Sequence, residues 1–385
     1  MYICTSTNVH HDRLSQVRTG DRIDRVRLSL VYLPLQSPPS DAKAPPLTEV
    51  AFLFAEIGTT DGHAGLGFSY TKRAGGPALY AYAKEIVPSL LGEDPNDIGR
   101  VWEKLATAGA SVGRSGLATQ AIGAVDIGLW DLKAKRANLS LAKLLGTHRD
   151  VVSCYHTLSG SPSLSIAELS DNARKELEQG AGGIKVEIGH PEPTQYLTQL
   201  RDRLGRAVPL MANANQQWDR TTALRIGRAL EPLGLTWLEA PLDSYDTNGL
   251  AALATTLDTP IAAGEPFTDV NEHWQLIHAA AANYLQPDAP RVGGITPFLR
   301  IAALANHNRL AIAPHFAAEL HVHLAAAYPG TAWIEHVTWL EPLFNERLEL
   351  KEGAVLVPDR PGIGLTLSER SRVWTTDRIE FAESV

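Results

Sequence analysis

The sequence predicts an α/β fold whose larger part is a parallel (β/α) barrel. Three observations carry this. Between residues 183 and 340 short apolar runs recur, and they stop at Glu187, Asn213, Glu239, Glu265, Asp288, His315 and Glu335. The steps between those polar ends are 26, 26, 26, 23, 27 and 20 residues, the length of one strand, one helix and two short loops. The runs are apolar at consecutive positions, as in strands covered on both faces, which makes the sheet parallel. Enough such units in series close into a barrel, and barrel chemistry sits at the C-terminal strand ends, where these polar residues fall.

The elements follow in order. Residues 1–20 are polar and unpatterned and read as a flexible tail. Residues 22–36 alternate in part and read as a strand. Residues 37–48 carry four prolines and cannot hold regular structure for long. Residues 49–57 and 64–70 form a hairpin across Thr60-Asp61-Gly62, because Asp-Gly suits tight primed turns. That makes a three-stranded antiparallel sheet. Helices are expected at 77–91, at 96–108 with Asn96 as cap, and at 116–136. The last is apolar most of the way round, so it should be buried between domains. A short turn or helix spans 141–145.

Val151–Thr157 reads as the first barrel strand. Helices fit 165–179, 220–231 (capped by Asp219), 247–257, 270–280 and 295–307. After Glu335 the pattern breaks, and the end of the chain is expected to return to the N-terminal sheet. The domain reading is therefore a tail at 1–20, an α+β domain at 21–145, a barrel at 146–340 and a returning segment at 341–385.

Composition describes a globular protein: 44% hydrophobic and 20% charged residues over 385 positions. Lys and Arg number 35 against 43 Asp and Glu, a net charge of −8, and no basic run occurs, which argues against a nucleic-acid partner. Cys4 and Cys154 alone give no disulfide framework, so a reducing, cytoplasmic setting is expected. The N-terminus lacks a signal-peptide pattern, and no run of 18 apolar residues is present, so no membrane association is expected.

The strand ends carry the chemistry. Asn213, Glu239 and Glu265 end successive strands and would converge on one point. Hard divalent cations take about six oxygens, and three protein oxygens with water and substrate complete such a shell. Pairing of the same groups with Arg or Lys is the other reading. Asp288 and His315 end neighbouring strands. A carboxylate on one imidazole nitrogen fixes the tautomer and makes the other nitrogen a base; a buried, merely satisfied histidine is the alternative.

The runs Ser69–Gly76, Leu91–Ile98, Asn215–Arg220, Gln286–Ile295 and Ala313–Ala317 resemble the enolase superfamily, mandelate racemase branch, and within it the L-talarate/galactarate dehydratases. The resemblance spans Asp21 to Thr375. It implies a modified TIM barrel, (β/α)7β-like, under an N-terminal α+β capping domain, and a symmetric homo-oligomer, dimer to octamer. It implies a Mg²⁺ held at Asn213, Glu239 and Glu265, a His315–Asp288 dyad, Glu335 at the substrate carboxylate, and Lys185 and Glu187 at the positions of a Lys-x-Lys pair. The substrate it implies is an acid sugar, an aldarate or aldonate. Lys72 and Arg73 then fall in a capping loop where they could grip the far carboxylate, or be exposed and structural. Lys43 and Ser40 could fold over the substrate. His156 touches ligand in the barrel mouth or packs in the core, and Asn215 faces the pocket. His321 and His323 read as structural.

Two departures shape the mechanism: the resemblance places lysine at position 187 and aspartate at position 213. A smaller one is Ala240, where glutamate is usual. Three readings follow. His315 acts alone on one face as base and general acid, giving a dehydratase. Alternatively Glu187 is an acid–base group opposite His315, giving an epimerase or cycloisomerase. Glu187 would be a weak base unless buried, and a close Lys185 pushes it the wrong way. The third reading is a diverged, non-enzymatic binding protein.

Overall fold

The computed structural model describes residues 20–35, 47–158, 164–188 and 192–383. Lys43 and Ser40 lie outside these residues.

The N-terminal part is a sheet with helices on one side. Strands β1 (Ile23–Pro34), β2 (Glu49–Thr59) and β3 (Ala64–Lys72) pair antiparallel in sequence order. Helices α1 (Gly76–Ile86), α2 (Ile98–Ala108), α3 (Leu117–Arg136) and α4 (Leu141–Leu145) follow. Asn96 is not the cap of α2. Asp97 takes that position without a side-chain cap bond, and Asn96 is held in the preceding turn by Asp94 Oδ1.

Helix α3 is buried over most of its circumference. Its contact with β3 depends on glycine, since a Cβ at Gly67 would lie 2.0 Å from the Ala124 carbonyl oxygen. On its other side, Trp130 Nε1 donates to Thr296 Oγ1 at 3.0 Å, and Asp126 accepts from the Thr296 backbone at 2.9 Å. Ser69 Oγ donates to the Pro290 carbonyl at 2.8 Å, and Trp102 Nε1 to that of Gly293 at 2.8 Å. The sheet and helices are thus pinned to one segment of the barrel, residues 290–296.

The barrel runs β4 (Val151–Leu158), α5 (Ile166–Glu178), β5 (Ile184–Glu187), α6 (Pro193–Leu204), β6 (Leu210–Asn213), α7 (Arg220–Leu230), β7 (Trp237–Glu239), α8 (Thr247–Thr256), β8 (Ile261–Ala263), α9 (Val270–His278), β9 (Tyr284–Leu285), α10 (Ala289–Val292), α11 (Ile295–His307), β10 (Ala311–Ile312), α12 (Ala318–Ala326) and β11 (Trp333–Glu335). Neighbours from β4 to β10 pair parallel. Strand β11 closes the ring by pairing with β4 and by a bridge from Ala332 to Ile312. This is the modified (β/α)7β barrel. Helix α6 lies in a stretch for which the sequence reading assigned none. Pro193 opens it, a position where the missing N–H has no intrahelical partner to lose. Asp219 caps α7 through the Thr222 N–H, and Ser165 forms a capping box on α5 with Glu168.

Beyond the barrel, β12 (Leu350–Lys351) and β13 (Ala354–Leu356) form a hairpin whose second strand pairs with β4, and α13 (Glu369–Val373) leads into β14 (Thr375–Ala382). β14 pairs antiparallel with β1, so the N-terminal sheet has four strands rather than three. Among the described residues no helix is long and apolar enough to cross a membrane.

His323 on α12 ties three elements together. Its Nδ1 accepts from the Ala142 N–H at 3.4 Å, and its Nε2 donates to the Ile363 carbonyl at 3.1 Å. Burial pushes it down to about 4. An unfolded histidine titrates near about 6.5, so unfolding takes up a proton between those values. The stabilisation is whole above the unfolded value and shrinks as pH falls toward the folded one, by up to about 1.4 kcal/mol per pH unit. In urea titrations from pH 7 to 4.5, His323→Gln should flatten the decline in stability by that one-proton slope. An unchanged slope would contradict the assignment.

Candidate active site

Side chains of a strand alternate between its two faces. Tyr155, Met211, Trp237, Ala262 and Ala313 share one buried cluster with Tyr284 and Trp333, which is the barrel's lower interior. Trp237 lies at its centre, 5.2 Å from the Tyr155 ring and 4.8 Å from that of Tyr284. Two residues further along each strand come Thr157, Asn213, Glu239, Gln286, His315 and Glu335. The period of two therefore stacks a polar layer directly on an aromatic floor. Glu187, Asn213 and Glu239 are register partners across β5, β6 and β7.

Lys185 organises this layer. Its ammonium lies 2.7 Å from Glu239 Oε1 and 2.9 Å from Glu335 Oε1, with all three groups buried. Burial alone would lower its pKa; Glu239 and Glu335 outweigh that and hold it well above the usual lysine value. Glu239 also accepts from Trp237 Nε1 at 3.0 Å and Gln286 Nε2 at 2.7 Å. Burial raises its pKa while Lys185 pulls against it, and three donors favour the ionised form. Glu335 accepts from Thr157 Oγ1 at 2.5 Å and from the Phe316 N–H at 2.9 Å. Lys185 and His315 outweigh burial and hold its carboxyl below the usual range. Its oxygens thus hold Lys185, Thr157 and the Phe316 N–H at once. The Phe316 N–H reaches it because Phe316 and Ala317 adopt left-handed backbone, φ 56° and 38°, local strain of a kind that clusters at functional sites.

The dyad forms. His315 Nδ1 lies 2.9 Å from Asp288 Oδ2. Tyr70, from β3, donates to the same oxygen at 2.5 Å. Lys72 Nζ lies 3.3 Å from His315 Nε2, and Glu265 Oε2 lies 3.8 Å from it. Behind the dyad, His321 Nδ1 donates to the Phe316 carbonyl at 2.7 Å and its Nε2 accepts from the Ala289 N–H at 3.0 Å, bracing both strand ends. Arg291, largely buried, has its pKa raised by Tyr70 and Asp288 against the pull of burial.

A cavity of about 930 Å³ opens above this layer, lined among others by Lys72, Lys185, Glu187, Asn213, Asn215, Glu265, His315 and Glu335. Glu239 sits beneath it, covered by Lys185. Glu187 is pushed up to about 7, burial outweighing Lys185 and Lys72. Lys72 stands at the dyad and lines the cavity. Arg73 is exposed, in left-handed conformation (φ 65°), and is not among the cavity's lining residues. Tyr155 fills the barrel interior, so alternation turns the next residue, His156, outward. Its Nδ1 lies 3.3 Å from Glu176 of α5, on the cavity's outer wall. Thr157 takes the inward place. Tyr70, Thr157, Gln286 and Arg291 were absent from the sequence-based set. A polar Gln286 within an otherwise apolar strand was a readable signal for one of them.

The donor set suits a hard divalent cation. Glu187, Glu265 and Glu335 line the cavity beside Lys72 and Lys185, so carboxylate oxygens gather at the strand ends. His315 and Lys72 hold the Glu265 carboxyl low against burial, yet Glu265 accepts no hydrogen bond among the described residues. Among those residues no three His, Cys, Asp or Glu side chains form a ready-made site; one of the three expected ligands, Asn213, is an amide. The residues that would hold the ion are Asn213, Glu239 and Glu265.

Comparison with known proteins adds three findings. A family model described as "Mandelate racemase / muconate lactonizing enzyme, N-terminal domain" matches residues 33–146, and one described as "Enolase C-terminal domain-like" matches residues 168–371. L-talarate/galactarate dehydratase of Salmonella typhimurium is 56% identical over 373 residues, covering 95% of this chain and 94% of that protein. 3,6-Anhydro-alpha-L-galactonate cycloisomerase of Streptomyces coelicolor is 34% identical over 352 residues, covering 90% and 97%. Among solved structures, L-talarate dehydratase from Polaromonas sp. JS666, complexed with Mg and L-glucarate, superposes with a TM-score of 0.93 at 59% identity, covering 95% of this chain and all of that one.

Lys185→Met strips the counter-ion from two buried carboxylates. The metal-free protein should lose about 3–5 kcal/mol of stability in urea denaturation. A loss under about 1 kcal/mol would show that Glu239 and Glu335 do not depend on Lys185.

Proposed function

Because the chain belongs to the mandelate racemase / muconate lactonizing enzyme family of the enolase superfamily, we propose that it is an enzyme that removes water from an acid sugar. One observation carries the reading: the cavity brings together an imidazole fixed by a carboxylate, two ammonium groups and two carboxylates without full partners.

Asn213, Glu239 and Glu265 would hold a Mg²⁺, whose positive charge would lower the cost of the enediolate formed next to the substrate carboxylate. The chain's own residues do the rest. Asp288 accepts the Nδ1 hydrogen of His315, which leaves the Nε2 lone pair facing the cavity as the base. Tyr70 donates to Asp288 and keeps that carboxylate oriented. His315 removes the hydrogen from the carbon beside the carboxylate. Lys185 presents its ammonium to that carboxylate from a position Glu239 and Glu335 define. The imidazolium then returns its proton to the hydroxyl on the next carbon as that C–O bond breaks. Water leaves, and the enol settles as a 2-keto-3-deoxy acid.

With glutamate rather than lysine at position 187, the second face presents a carboxyl pushed up to about 7 in place of an amine. Racemisation needs a base on each face of the carbon, whereas dehydration with a single acid–base histidine does not depend on that group. The reading extends to a homo-oligomer in a reducing cytoplasm, supported by the family resemblance and by the scarcity of cysteine, of which Cys154 is buried and free.

The test is a panel of aldarates and aldonates in both diastereomeric series, assayed for keto-acid formation. At least one should lose water, EDTA should stop the reaction, and His315→Asn should lower kcat about 10³-fold. No product from any member, or an active His315→Asn protein, would refute the reading.

A further inference from the structure

The carboxyl groups of the site are not equally committed. Glu239 has three protein donors, Glu335 has three, and Asp288 has two, from Tyr70 and His315. Glu187 has none among the described residues, although it is largely buried and lines the cavity. Its neighbour Asn213 is its direct partner across β5 and β6. The two side chains therefore emerge side by side on the same inner face. Asn213 brings no charge, and its Oδ1 already accepts from the Asn215 N–H at 2.8 Å. An amide oxygen so engaged is a weak ligand for a divalent cation, and the position that would bring charge there does not.

We infer that Glu187 supplies the cation with the carboxylate that position 213 lacks, acting with Glu265 and Glu239 while Asn213 contributes at most a neutral oxygen. The inference rests on the proposed cation-dependent reaction and assigns to Glu187 a binding role in place of an acid–base one. Parallel pairing makes the exchange cheap in distance, since adjacent strands are about 4.8 Å apart, within the reach of a glutamate side chain. It also gives the Glu187 carboxylate a direct partner, which no hydrogen bond among the described residues supplies.

Mn²⁺ titration of the full-length, EDTA-treated protein, followed by electron paramagnetic resonance, tests this. Glu187→Gln should raise the Mn²⁺ Kd at least tenfold, and adding Asn213→Asp to that variant should bring it back to within about threefold of the parent. A change of less than twofold on Glu187→Gln overturns the inference. So does a variant that binds Mn²⁺ normally yet loses hydrogen exchange on the substrate, since that makes Glu187 an acid–base group. Parent protein that binds no Mn²⁺, or binding that survives Glu239→Gln and Glu265→Gln together, fails the underlying cation reading instead. Should Glu187→Gln not fold, an anomalous map of Mn²⁺-soaked parent crystals decides. The ion is expected about 2.1 Å from a Glu187 oxygen, and an ion beyond contact with Glu187 overturns the proposal.

Discussion

The structure of this site depends on one buried ammonium. Lys185 sits between Glu239 and Glu335, under a polar layer and over the Tyr155 ring, 5.2 Å away. Two carboxylates at that depth repel each other and cannot both stay ionised without it. Each is then completed by neutral donors, Trp237 and Gln286 on one side, Thr157 and the Phe316 N–H on the other. Pairs of this kind add little net stability compared with apolar packing, yet breaking one leaves a stranded charge. The effect is to specify a geometry: strands β5, β7 and β11 cannot shift relative to one another without separating the charges.

The second constraint is the seam between sheet and barrel. The loop that follows Asp288 receives bonds from Ser69, Trp102 and Trp130, and Asp126 accepts from Thr296. Tyr70 and Lys72 extend from β3 on the same side of that seam and reach Asp288 and His315. The base is therefore assembled from two parts of the chain. An imidazole on the barrel is tuned by a phenol and an ammonium from the N-terminal sheet, so any loosening of the seam would act on the dyad directly.

Much of this was legible in the sequence, and the reasons are physical. Strand ends announce themselves because a buried strand must be apolar until it reaches the barrel mouth, which is why Asn213, Glu239, Asp288, His315 and Glu335 could be named from spacing. The place of Lys72 beside His315 was not legible because it depends on how β3 docks, which no local pattern encodes. His156 was left between ligand contact and core packing, and Thr157 was missed, because alternation fixes relative facing only; Tyr155 had to be seen in the barrel interior to set the phase. The pKa of Glu187 was left open between burial, which raises it, and Lys185, which lowers it. Two opposing effects meet there, and their balance depends on burial, which a sequence does not state. Helix α6 begins at Pro193, a proline that starts a helix rather than breaking one.

The account reduces to the claim that the His315 imidazole removes the hydrogen beside a carboxylate, independently of what leaves afterwards. The most direct measurement uses an acid sugar lacking the hydroxyl on the next carbon, so that water cannot be lost, incubated with the Mg²⁺-loaded protein in D₂O and followed by proton NMR. The account predicts that the hydrogen beside the carboxylate is replaced by deuterium, and that it is retained when residue 315 is asparagine. Exchange catalysed equally well by the asparagine protein would contradict it.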